Sequence, residues 1–85
     1  MKPGSIRLFI KPGCPWCREA MDWLDKHGIR YETINVIADA AALAEMERLS
    51  GQTRAPVIAV DGQILADFGA QELATWWAAC GFLPP

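Results

Sequence analysis

Long apolar runs are missing from this 85-residue chain: no stretch approaches the ~20 consecutive apolar residues that a membrane span requires. Met1-Lys2-Pro3-Gly4 passes straight into strand-like sequence, so no secretory leader is read there. Basic charge is also scarce. Eight Lys and Arg against ten Asp and Glu leave a net charge of −2 and no basic stripe, which speaks against nucleic acid as a partner. Three cysteines are an odd count and too few for a secreted disulfide framework, and the close pair among them reads as redox-active or metal-binding in a reducing compartment. The expectation is a cytoplasmic protein without membrane or nucleic-acid contacts. No internal repeat, linker or low-complexity segment interrupts the chain. Its length predicts one domain over residues 1–85, and the 52% hydrophobic content is ample for one core.

What the chain does have is Cys14-Pro15-Trp16-Cys17, placed where the apolar run Ile6 to Ile10 gives way to a helical pattern starting near Pro15. A helix opening there aims its free N–H groups and the positive end of its dipole at the first sulfur. Such a position favours the thiolate, which is the nucleophilic form of cysteine. The second cysteine lies one turn inside the helix, close enough to attack a mixed disulfide formed on the first. Lys11 and Arg18 flank the pair and Arg54 precedes Pro56, whereas Asp22, Asp25, Asp39, Glu45 and Glu47 fall elsewhere. A small basic patch on an acidic protein suits a small anionic substrate; its bland counterpart is scattered solvated charge.

Along the chain, Ser5 to Ile10 reads as a strand bounded by Pro3-Gly4 and Pro12-Gly13. A helix follows from Pro15 to about His27, with Cys17, Ala20, Met21 and Leu24 on its apolar face and Gly28 as its stop. Arg30 to Val36 is the second strand. Asp39 caps a second helix from Ala40 to about Leu49, ended by Ser50-Gly51. Val57 to Val60 and Gln63 to Ala66 are strands joined by the hairpin signal Asp61-Gly62. A last helix, about Gly69 to Ala79, places Ala70, Leu73, Ala74 and Trp77 on one face and is closed by Gly81, ahead of Pro84-Pro85. The order β-α-β-α-β-β-α predicts an α/β fold: a four-stranded mixed sheet, a parallel pair followed by an antiparallel hairpin, with three helices packed on it. Trp77 belongs to the core, Trp76 and Trp23 to its margin, and Cys80 reads as a buried structural thiol.

Lys11-Pro12-Gly13-Cys14-Pro15-Trp16-Cys17, Thr53-Arg54-Ala55-Pro56, and the hairpin and helix that follow resemble the glutaredoxins over nearly the whole chain. The resemblance implies a thioredoxin-like fold, a monomeric protein, and a dithiol oxidoreductase of the CPWC type with no bound cofactor and glutathione as cosubstrate. It further implies Cys14 as nucleophile and Cys17 as resolving thiol. Lys11 would meet the thiolate and a glutathione carboxylate, and Trp16 would line the groove. Pro56 would be a cis-proline facing the cysteines, and Ala55 would offer its backbone to the peptide part of glutathione in the manner of an added strand. The chain departs from the family pattern in two places. Arg54-Ala55 replaces the usual hydroxyl residue and valine, and Arg54 is a candidate carboxylate contact. Ala66-Asp67-Phe68-Gly69-Ala70-Gln71 replaces the Gly-Gly-(Cys/Ser)-x-Asp stretch that receives the γ-glutamyl end of glutathione. Asp67 and the N–H groups of the helix after Gly69 are the candidates for that end here.

The partners so implied are glutathione, disulfide-bonded or glutathionylated proteins, and a glutathione or thioredoxin reductase system. Three functions compete: a glutathione-dependent thiol–disulfide oxidoreductase, a glutaredoxin-like electron donor reduced by thioredoxin reductase, and a metal or iron–sulfur carrier. For the last, Cys14, Cys17, Cys80 and His27 form a permissible zinc set by residue type, though without the spacing of one. His27 before Gly28 reads more simply as a helix-end residue favoured by the dipole.

Overall fold

The computed structural model of the protein describes residues 1–82, so Pro84-Pro85 lies outside the described residues. The chain runs β1 (Ile6–Ile10), α1 (Pro15–Lys26), β2 (Glu32–Asn35), α2 (Ala40–Ser50), β3 (Val57–Val60), β4 (Gln63–Ala66) and α3 (Ala70–Ala79). The sheet order is β2-β1-β3-β4, with β1 and β2 parallel and the β1–β3 and β3–β4 pairs antiparallel. This is the mixed, four-stranded, three-helix arrangement of the thioredoxin-like fold.

Each face of the sheet has its own core. Leu8, Ile58 and Val60 pack with Ala20 and Leu24 of α1, Leu73 and Trp77 of α3, and Phe68 and Phe82. On the other face, Phe9, Val57 and Ala59 pack with Val36 and with Ala42 and Met46 of α2. A strand covered on both faces has no solvent side, which is why β3 reads Val57-Ile58-Ala59-Val60 without alternation and is buried throughout. Trp77 is wholly buried, with the Trp23, Trp76 and Phe82 rings 5.2–6.4 Å from it in edge-on contact. Trp23 and Trp76 are only partly buried, at the margin of the core.

Helix ends follow from local chemistry. The Asp39 carboxylate accepts the amides of Ala41 and Ala42 at 3.0 and 3.3 Å and so starts α2. Gly28 and Gly81, at φ 66° and 74°, close α1 and α3. In each case the next residue returns its amide to the helix, Ile29 to Leu24 O and Phe82 to Trp77 O, which turns an apolar side chain into the core.

Two strands differ in extent from the sequence reading. The first strand begins at Ile6 rather than Ser5 because the Gly4 and Ser5 amides donate to the Asp61 carboxylate at 2.9 and 2.8 Å. The second strand is only Glu32–Asn35, because Ile29 is spent closing α1 and the strand pairs with β1 alone. Asp61 and Gly62, at φ 49° and 88°, make the expected tight hairpin turn. Replacing Trp77 by Ala is expected to lower unfolding stability by about 3–5 kcal/mol, and Asp39→Ala by about 1 kcal/mol. Denaturant unfolding followed by circular dichroism checks both values and their order.

Candidate functional site

The loop from β1 to α1 turns at Pro12-Gly13. Gly13 has φ 77° and the Cys14 amide returns to Lys11 O at 3.3 Å, the arrangement of a turn with proline at its second position and glycine at its third. Cys14 is thereby delivered as the N-cap of α1, in extended conformation, while its carbonyl accepts the first helical bond from Arg18. Its sulfur takes the role that a serine or aspartate oxygen usually plays: Sγ accepts the Cys17 amide at 3.2 Å. Pro15 at the first helical position loses nothing by lacking an N–H.

The two thiols live in different media. Cys14 is partly exposed, whereas Cys17 is 1% exposed and belongs to the buried face of α1. Burial, reinforced by a hydrogen bond with the Cys14 side chain, pushes the Cys17 thiol up from 9.0 to about 12. Cys17 is therefore a neutral thiol at pH 7. Because its folded value lies above the unfolded one, the stability this contributes is complete below about pH 9 and is lost as the pH rises through 12.

The loop before β3 faces the first sulfur. The Ala55–Pro56 peptide bond is cis, Pro56 is buried, and Cys14 Sγ lies 3.9 Å from Ala55 O. The Pro56 carbonyl accepts the Asp67 amide at 2.9 Å, which ties this loop to the segment entering α3. Two shallow clefts lie near the start of α1, one at Cys14 and one at Trp16. One, of about 300 Å³, is lined by Lys11, Cys14, Cys17, Arg18 and Met21 among others. The other, of about 230 Å³, is lined by Trp16, Asp67, Phe68, Gly69 and Glu72. The Trp16 ring is 55% exposed and lies across Gly69, where a Cβ would come within 3.1 Å of Cε3 and Cζ3. The glycine is what lets the indole lie flat there.

Of the sequence-derived site residues, Lys11, Cys14 and Cys17 line one cleft, Trp16 and Asp67 line the other, and Ala55, before the buried Pro56, faces the Cys14 sulfur with its carbonyl. Arg54 is placed differently from its expected role. Its Nε is 3.3 Å from Asp67 Oδ2, so the two side chains expected to meet a ligand's charges meet each other. The start of α3 is likewise occupied from within: the Glu72 carboxylate accepts the Gly69 amide at 3.0 Å and the Glu19 carboxylate of α1 accepts the Ala70 amide at 2.9 Å. Glu19 was not legible as a site residue, since its partner is 51 positions away. The zinc set is divided. Cys14 and Cys17 stand at the N-terminal end of α1, while His27 and Cys80 are the C-caps of α1 and α3. Among the described residues no three His, Cys, Asp or Glu side chains converge on a metal-sized position. Cys80 is half-buried against the core rather than wholly buried. No helix is long and apolar enough to cross a membrane, among the described residues.

Comparison with known proteins agrees with this geometry. The Glutaredoxin family model matches residues 6–65. A glutaredoxin-like 8.6 kDa protein from the rubredoxin operon of Clostridium pasteurianum is 35% identical over 68 residues, covering 80% of this chain and 91% of that protein. Glutaredoxin 3 of Escherichia coli strain K12 is 30% identical over 59 residues, covering 69% of this chain and 71% of that one. Among solved structures, the thioredoxin-like protein BC3987 superimposes with a TM-score of 0.76 at 27% identity, covering 84% of this chain and 97% of that chain. With a matching fold, a cysteine pair at the strand-to-helix junction and these relatives, the chain belongs to the glutaredoxin family of thiol–disulfide oxidoreductases.

Proposed function

We propose that this chain reduces protein disulfides and mixed disulfides of glutathione through Cys14 and Cys17, with glutathione as the electron source. The observation that carries the reading is the asymmetry of the pair: a partly exposed Cys14 sulfur at the N-cap of a helix, over a buried neutral thiol one turn along. The Cys17 amide and the helix dipole favour negative charge on the Cys14 sulfur, both when it attacks and when it departs.

The thiolate of Cys14 attacks one sulfur of the substrate disulfide and displaces the other as a thiolate. With a glutathione mixed disulfide, Cys14 carries glutathione and a second glutathione releases it as glutathione disulfide. With a protein disulfide, the Cys17 thiol loses its proton and attacks the Cys14 sulfur, releasing the reduced protein and leaving a Cys14–Cys17 disulfide. The high pKa of Cys17 keeps it silent until that step. Lys11 and Arg18 beside Cys14, the Trp16 face and the Ala55 backbone form the surface on which the substrate is held.

A second electron source, a thioredoxin reductase, is favoured by one observation. The start of α3 and Arg54 are already matched with the protein's own carboxylates, which leaves fewer groups for those of glutathione.

Cys14→Ser is expected to abolish turnover of every disulfide, and Cys17→Ser to keep reduction of glutathione mixed disulfides while losing that of protein disulfides. Steady-state assays coupled to glutathione with its reductase, and in parallel to thioredoxin reductase, read both variants and identify the reductant. Substantial turnover by Cys14→Ser would overturn the nucleophile assignment. At pH 7, iodoacetamide is expected to label Cys14 in the native protein and to leave Cys17 unlabelled until guanidinium is added, as read by peptide mass spectrometry.

A further inference from the structure

The two clefts near the start of α1 are electrostatically unlike. At one stand Lys11 and Arg18. At the other, where Trp16 meets the start of α3, the charged groups are Glu19, Glu72 and the Asp67–Arg54 pair. An N-terminal helix end ordinarily carries about half a positive charge and free amides, and so welcomes an anion. Here its first two amides do not stand free. The Glu72 carboxylate reaches back to the Gly69 amide, and Glu19 reaches across from the neighbouring helix to the Ala70 amide. Gly69 has no side chain with which to cap the amides further in. A ligand carboxylate approaching them would sit between two carboxylates and would have to displace Glu19 to gain the Ala70 amide.

Glu72 is a local cap, of the kind that many helices use at this position. Glu19 is different. It comes from α1, two residues after Cys17, and spends its charge on another helix beside the exposed Trp16 face. It is on the surface, so its hold on Ala70 is modest and open to competition.

We infer that Glu19 is a specificity-determining residue: its carboxylate holds the Ala70 amide at the start of α3 and disfavours thiols that place a carboxylate there. Substrates that put a neutral or cationic group at that end, such as a polypeptide segment, meet no such penalty. The inference rests on the reading of Cys14 as the nucleophile and not on which reductant supplies the electrons. Glu19 acts by charge and by occupying an amide, and takes no part in bond making.

The test is the single-turnover reaction of the fully reduced protein with two small disulfides at pH 7, one anionic (glutathione disulfide) and one neutral (hydroxyethyl disulfide). No reductase is present. Thiol loss is followed by quenched alkylation and mass spectrometry. Glu19→Ala frees the Ala70 amide and removes the charge, while Glu19→Gln removes the charge but keeps an acceptor on the amide. Glu19→Ala is expected to raise the rate with glutathione disulfide roughly twofold to fivefold, the scale of one exposed charge interaction, and to leave hydroxyethyl disulfide unchanged. Glu19→Gln is expected to give a smaller gain with the same selectivity. An unchanged rate with glutathione disulfide would overturn the inference. A parallel rise with both disulfides would also overturn it, because Glu19 would then be acting on the Cys14 sulfur itself. Absence of reaction with either disulfide in the unmodified protein would overturn the nucleophile assignment and the inference with it. A failure to use glutathione in the coupled steady-state assay alone leaves this readout intact.

Discussion

A sulfur atom serves as the N-cap of α1, and the rest of the site is arranged around that fact. Helices usually begin on an oxygen-bearing side chain because the first amides have no partner within the helix. Here the 3.2 Å contact from the Cys17 amide to Cys14 Sγ meets that need. The same contact fixes where the sulfur sits, with one backbone donor on it and the Ala55 carbonyl 3.9 Å away. Structural requirement and proposed chemistry meet in one group: the sulfur that caps the helix is the one proposed to react.

Burial then separates two residues of the same type. Three positions along a helix is nearly one turn, so Cys17 lies on the same side as Cys14 but one turn deeper, in line with Ala20 and Leu24. Water reaches the first thiol and not the second. Desolvation holds the second in its neutral form, and this difference between two like side chains comes from their positions in the sheet-and-helix sandwich.

The groove wall is built from segments remote in sequence. The cis Ala55–Pro56 bond brings the Ala55 carbonyl to face Cys14, the Pro56 carbonyl receives the Asp67 amide, and Gly69 makes room for the Trp16 ring. Together these contacts join the α1 entry, the loop before β3 and the α3 entry. In the same region the protein meets several of its own charges internally, Arg54 with Asp67 and two amides with Glu19 and Glu72. The cations lining the cleft beside Cys14 are Lys11 and Arg18, and among the described residues none of α3 lines it. The polarity of the groove is therefore a property of how the helices dock and not of the overall charge of −2.

The sequence by itself determined the elements and their order, because the signals are local. Pro15, Gly28, Asp39, Gly51 and Asp61-Gly62 act on their own backbone or on amides two or three residues away, and each lies at an element boundary in the structure. It also determined the CPWC pair and its place at the start of α1. Tertiary structure alone decided what those elements face. The unbroken apolar run of β3 could not say which helix covers which side, and both sides turned out to be covered. The retraction of the first strand to Ile6 depended on an Asp61 carboxylate 56 residues from Ser5. The pairing of Arg54 with Asp67 and the reach of Glu19 to Ala70 span 13 and 51 residues. Side-chain charge carries no mark of its eventual partner in a linear sequence. Only the close approach of α1, α3 and the loop before β3 selects one carboxylate for one amide, and with it the character of the groove.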